Sequence, residues 1–158
     1  MPASHDGVRT RHLATMEATL ETHPIGATPE GQRMVAAVTG GRIEGERLKG
    51  RVLPFGGDFV LVAADGILHI DVRAGFELDD GARIYAVYGG RIVMTPEQMA
   101  ALADPTAREG LDPASYYFRT APLFQTGDER YAWLNGILAI GIGSMTPDGV
   151  AYELYEVL

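Results

Sequence analysis

The chain has 158 residues, 46% of them hydrophobic and 22% charged, with a net charge of −8. That is one globular domain long enough for a substantial core, and not a disordered chain. The acidic balance argues against a sequence-independent phosphate-binding surface, which needs clustered Lys and Arg, and so against a nucleic-acid partner.

Cysteine is absent, which removes disulfides, thiol nucleophiles and thiolate metal sites together. The four histidines are His5, His12, His23 and His69, and no H-x-H or H-x-x-x-H spacing joins them. No metal is expected on that ground. No apolar run approaches the roughly 20 residues of a membrane helix, and the start M-P-A-S-H-D-G lacks the apolar core of a signal peptide. The expectation is a cytoplasmic protein without a membrane partner. Arginine outnumbers lysine twelve to one, with Lys49 the only lysine, and a GC-rich genome explains that as readily as chemistry does.

Residues 1–8 read as a flexible tail and 9–158 as a single domain. Residues 9–22 mix helix-forming Ala, Met, Glu and Leu with threonines that permit a strand. Residues 23–32 read as a loop from their Pro and Gly content. Strand signals then recur. Met34–Val38 ends at Gly40-Gly41, and Leu48–Leu53 follows. Asp58–Ala63 and Ile67–Arg73 flank the turn Ala64-Asp65-Gly66, a strong hairpin signal. Phe76–Leu78 and Arg83–Tyr88 flank a second one, Asp80-Gly81, and Arg91–Met94 continues past Gly89-Gly90.

One helix is expected. Thr95 can cap it, Pro96 suits its first turn and Gln98 completes a capping box. It should run to about Ala103, followed by a loop over 104–115. Strands resume at Tyr116–Ala121, Tyr131–Ile142 and Val150–Val157. Many antiparallel strands, twenty glycines and one short helix predict a barrel or a strongly curved sandwich. There is no βαβ alternation, which argues against a doubly wound nucleotide-binding sheet. Gly-x-Gly at 141–143 lacks a following helix and reads as close backbone approach.

Side chains alternate across a strand, so faces can be counted. His69, Asp71 and Arg73 share one face. Tyr117 and Arg119 share another, as do Tyr131, Trp133 and Asn135 in the strand expected over 131–142. Asp58 shares its face with Val60 and Val62, which makes it the carboxylate expected to border an apolar space. A desolvated carboxylate can move a proton near neutral pH, and a neighbouring Arg or Tyr can stabilise the oxyanion that forms. Plainer readings stand beside these. Asp71 and Arg73 also read as an exposed pair, Arg119 as a loop tie, His69 and Trp133 as structural, and Asp58 as a turn acceptor.

The order V-T-G-G-x-x-E-G-x-x-L-K-G-x-V-L-P-x-G-G-D, then D-G-x-L-x-I-D-V-R, then D-G-A-x-I-Y, then Y-F-R-T-A-P-x-F-x-T-G-D-x-R-Y-A-W-L-N, resembles the bacterial and fungal domain-of-unknown-function family 3237 over about residues 31–158. The resemblance implies an all-β fold: an antiparallel, closed or nearly closed β-barrel, lipocalin-like in outline, with a central pocket and frequent self-association. It turns the reading of 9–22 from helix to strand. It carries no catalytic assignment. Polar positions matching its pattern are Asp58, Asp71, Arg73, Tyr85, Tyr117, Arg119, Trp133 and Asn135.

The functional expectation is a metal-free, cofactor-independent acid–base enzyme, an isomerase, cyclase or lyase, acting on a small, partly hydrophobic carbonyl or aromatic compound. Asp58 or Asp71 is the expected base, Arg73 and Arg119 the oxyanion holders, and Tyr85 or Tyr117 the proton donor. Trp133, Asn135 and His69 would position the substrate. The alternative is a non-catalytic barrel that carries or senses a small molecule, and a third reading is a structural subunit. A homo-oligomer, most simply a dimer, is expected in each case.

Overall fold

The computed structural model describes residues 7–158; most of the expected tail, with His5, lies outside the described residues. Ten strands form one sheet: β1 Thr10–Thr28, β2 Gly31–Glu44, β3 Lys49–Val52, β4 Gly57–Val62, β5 Leu68–Leu78, β6 Arg83–Val93, β7 Tyr117–Thr120, β8 Leu123–Gln125, β9 Ala139–Thr146 and β10 Gly149–Val157. Eight of them close a ring in the order β5-β4-β2-β1-β10-β9-β7-β6, with β6 returning to β5. Every pairing is antiparallel. The expected all-β barrel is the fold observed.

The remaining two strands are continuations. β3 lies in line with β4, because β2 and β5 each pair with both. Pro54 and Gly56 (φ 78°) break that stave in the middle. Hydrogen bonds from Leu53 N to Gly75 O and from Val38 N to Gly56 O hold the break closed. β8 continues β7 past Pro122 along β6, but it does not pair with β9, whose bridges to β7 end at Gly141. A 3₁₀ segment, Glu129–Gly136, lies between β8 and β9 in the chain and seats Leu134 fully in the core.

Several local expectations are corrected. Residues 23–32 are not a loop: β1 runs to Thr28 and returns directly as β2. Beyond Thr19, β1 pairs with β2 alone, so Pro24 sits on an edge where its missing N–H costs nothing. Residues 131–135 are not strand but 3₁₀, because the Asp128 carboxylate caps Arg130 N and starts a helical turn. The helix at Thr95 forms as α1, Pro96–Ala101, with both capping-box bonds present. It is not alone, for α2, Pro105–Glu109, occupies the expected loop, capped by Asp104. Both Asp-Gly turns form, with Asp65 and Asp80 accepting main-chain N–H groups and Gly66 and Gly81 at positive φ. No helix among the described residues is long and apolar enough to cross a membrane.

The barrel interior is the apolar face of each strand. Leu68, Ile70, Val72, Ala74, Phe76 and Leu78 of β5 point inward, as do Ile84, Ala86, Tyr88 and Ile92 of β6. Val150, Tyr152 and Leu154 of β10 face them across the lumen. Burying such side chains stabilises by about 25 cal/mol per Å², and it fixes which face turns inward.

Candidate functional site

At mid-height the lumen holds a cavity of about 30 Å³, lined by Met16, Ala18, Leu20, Val38, Val52, Val72, Ala74 and Val150 and by three polar side chains, Asp58, Tyr88 and Tyr152. That volume suits one or two water molecules. β4 brings Asp58 to it beside Val60, β6 brings Tyr88 beside Ala86, and β10 brings Tyr152 between Val150 and Leu154. The rings of Tyr88 and Tyr152 meet edge-on, centroids 5.8 Å apart at 81°. Phe118 backs Tyr152 in the same manner at 5.3 Å. Such contacts hold the phenols in place.

Among the described residues, Asp58 is the only carboxylate lining the cavity. Its Oδ1 accepts the main-chain N–H of Asp71 at 3.0 Å. Burial in apolar surroundings pushes its carboxyl from 3.8 up to about 7; the hydrogen bond from Asp71 works against that, and the Asp71 charge adds to it. Burial likewise holds Tyr88 and Tyr152 well above the ordinary phenol value, and the charge of Asp58 acts in the same direction. Both phenols therefore stay protonated, as hydrogen-bond donors, while Asp58 exchanges its proton near neutral pH.

The other expected site residues lie elsewhere. His69, Asp71 and Arg73 point outward from β5, and Arg73 is paired with Asp71 on the outer wall. Tyr85 is on the outer face of β6, 40% exposed. Tyr117 and Arg119 are on the outer face of β7, the guanidinium 5.0 Å from the ring centre. The faces counted for 131–135 do not exist, because the segment is helical. Trp133 lies under Arg47, 4.2 Å from its ring centre, and Arg47 in turn bonds Glu156 at 2.6 Å. Asn135 ties down Thr126, accepting its N–H and donating to its carbonyl. Of the nine residues, the structure brings only Asp58 to the lumen.

Tyr88 and Tyr152 escaped the sequence reading. Their signal was present, since each alternates in phase with apolar residues: Ile84, Ala86 and Tyr88 on β6, and Val150, Tyr152 and Leu154 on β10. Polar residues in phase with other polar groups lie instead on the outside of the barrel.

The family model described as "Protein of unknown function (DUF3237)" matches residues 8–157. A UPF0311 protein of Rhodopseudomonas palustris is 33% identical over 152 residues, covering 96% of this chain and 97% of that protein. A solved structure described as a beta-barrel like protein, from Acinetobacter baumannii, superposes with a TM-score of 0.82 at 32% identity, covering 99% of each chain. A solved structure described as an enzyme from Penicillium herquei superposes with a TM-score of 0.71 at 19% identity over the full length of both chains, a likeness of fold. The chain belongs to the DUF3237 family.

Proposed function

We propose that the protein is a cofactor-independent acid–base enzyme that works in the barrel lumen, with Asp58 as the proton-transferring group. The observation that carries this is a single carboxyl, poised near pH 7, sharing an otherwise apolar cavity with two buried phenols. Asp58 takes a proton from carbon or oxygen of the substrate and returns it at a second position. Tyr88 and Tyr152 donate hydrogen bonds to the oxyanion formed between those steps, an arrangement worth most where water is excluded. The apolar lining selects an uncharged, partly hydrophobic carbonyl or aromatic compound, and the net reaction is an isomerisation, ring closure or elimination. The fold likeness to a chain described as an enzyme is compatible with this.

A cavity of about 30 Å³ is smaller than any such substrate, so turnover requires the lumen to open. The half-buried apolar side chains Leu20, Met34, Val62, Met94, Met99 and Met145 belong to the end of the barrel where β1 has lost its β10 partner. Methionines repack at low cost, which makes this end the mouth. The same small, mainly apolar cavity favours a second reading, a carrier that opens for an apolar ligand without transforming it.

A panel of enolisable ketones and phenolic compounds incubated in D₂O, followed by NMR, tests the proposal. Carbon-bound deuterium that appears with wild type and not with Asp58→Asn supports catalysis. Saturable binding unaffected by Asp58→Asn, with no exchange or conversion of any compound, assigns the carrier role instead.

The proposal includes a homodimer. Leu123, Ile140 and Ile142 are 46%, 36% and 41% exposed on the outer wall of β8 and β9, an apolar stripe of the kind copies bury against each other. Sedimentation of a monomer at high protein concentration would remove this part.

A further inference from the structure

On the outer wall, His69, Arg91 and Arg119 stand in one row across β5, β6 and β7: His69 is the register partner of Arg91, and Arg91 that of Arg119. Side chains directly opposite on neighbouring strands lie about 5 Å apart at Cβ, and like charges so placed are destabilising. The chain carries a net charge of −8. Even so, neither Arg91 nor Arg119 has a carboxylate within ion-pair distance among the described residues, whereas Arg11, Arg47, Arg51, Arg73, Arg83 and Arg130 each do. Arg91 donates only to Gly90 O and Arg119 only to Phe118 O, on their own strands, which leaves most of each guanidinium fork free. The nearest carboxylate along the face, Asp71, is taken by Arg73.

Arg119 also closes one end of a groove of about 520 Å³ between α1 and the outer face of β6–β7, whose floor includes Val93, Met94 and Tyr117. The Arg119 guanidinium over the Tyr117 ring joins the charged end to the apolar floor. The groove is open rather than enclosed, which suits a ligand that keeps one face in solvent.

We propose that this groove binds a small organic anion, with its apolar or aromatic body on Val93, Met94 and Tyr117 and its carboxylate or phosphate on Arg119 at the groove's end, where Arg91, the register partner of Arg119 just outside the groove, adds a second positive charge. The bound oxyanion offsets the repulsion between the two arginines, and the forked guanidinium of Arg119 suits either anion. The site is on the outer wall and does not rest on the proposed function, although it shares Met94 with the barrel end described above.

Calorimetric titration of the full chain at low salt with phenyl phosphate, benzoate and inorganic phosphate tests the site. Wild type is expected to bind phenyl phosphate or benzoate saturably. Arg91→Ala and Arg119→Ala should each weaken that binding at least about tenfold, the loss of one good charged contact. Arg83→Ala, which alters an arginine paired with Glu77, should leave it unchanged. Tyr117→Ala should weaken the aromatic anions and leave inorganic phosphate unaffected. If Arg119→Ala fails to fold, Arg91→Ala and Arg119→Lys decide the matter, the lysine keeping the charge but losing the fork. The proposal is overturned if neither aromatic anion binds, if the arginine variants bind as wild type does, or if inorganic phosphate binds as tightly as both aromatic anions.

Discussion

The Asp58 carboxylate accepts the main-chain N–H of Asp71, 3.0 Å away, where the β4–β5 ladder has no backbone pair. Register partners run from Gly57–Arg73 and Asp58–Val72 straight to Leu61–His69, so Phe59 and Val60 are skipped. A side chain has taken a hydrogen bond that the ladder would have made. This fixes the carboxyl at the inner wall; Phe59, the next residue, points outward by strand alternation and is 45% exposed. Folding thus spends a strand pairing to hold an acid in an apolar lumen, an arrangement that favours a proton-transfer role over a packing one.

The raised value of Asp58 makes stability depend on pH. The folded chain keeps a proton up to about pH 7 that the unfolded chain releases near 3.8. The contribution is therefore complete below the unfolded value and is lost as pH rises through the folded one. Asp58→Asn removes this slope and leaves the variant more stable than wild type above neutrality, by at most about 4 kcal/mol. Urea midpoints of both proteins at about pH 5 and about pH 8 check this. Parallel profiles would mean that Asp58 is already ionised at the lower pH.

Tyr88→Phe and Tyr152→Phe each delete one lumen donor without changing shape. Stability should move by no more than about 1 kcal/mol. Turnover of any substrate found should fall roughly 10²-fold or more, in kcat rather than KM, because the donors act on charge that develops in the transition state. Tyr85→Phe, on the outer wall, is the matched control and should leave kcat alone. Equal kcat values for all three variants would take the phenols out of the mechanism.

Gly143 of β9 has no room for a methyl group. A Cβ there would lie 2.5 Å from the Phe118 ring, and Phe118 is 1% exposed and packed against Tyr152. Gly143→Ala should cost about 1–3 kcal/mol by overpacking and shift the Tyr152 ring. Gly127→Ala, where a Cβ meets nothing within 4 Å, should be close to neutral. Thermal melts and the aromatic NMR signals of the two variants distinguish a packed lumen from a yielding one.

Glu156 is the inward residue at the far end of β10, and Arg11 and Arg47 both bond its Oε2, at 2.7 and 2.6 Å. These guanidiniums, Arg11 first, hold its carboxyl below the ordinary carboxylate value. Its contribution is therefore present above that value and lost as pH falls below it. Glu156→Gln should destabilise by about 2 kcal/mol, since its side chain is only 10% exposed and two charged donors lose their partner. Glu153→Gln, whose carboxylate bonds His12 at the surface, should change little. Comparing the two melting temperatures measures what burial adds to an ion pair.

The sequence by itself determined an antiparallel all-β fold, a barrel or a strongly curved sandwich, and its family resemblance pointed to the barrel. Period-two alternation, the Asp-Gly turns at Asp65 and Asp80 and the Thr95–Gln98 capping box are local signals, and each produced its element because the physics behind it acts over a few residues. It also marked Asp58 as the acid in phase with apolar neighbours. Tertiary structure alone decided the rest. Ring closure chose the apolar face of every strand as the inside, which turned Asp71, Arg73, Tyr85, Tyr117 and Arg119 outward and brought Tyr88 and Tyr152 in. Residues 131–135 are the exception: the Asp128 cap, a local signal, made them 3₁₀, though their alternation also suits a strand. Asp58, Tyr88 and Tyr152 meet because β4, β6 and β10 face one another across the lumen. That proximity comes from closure of the sheet, and no spacing along the chain encodes it.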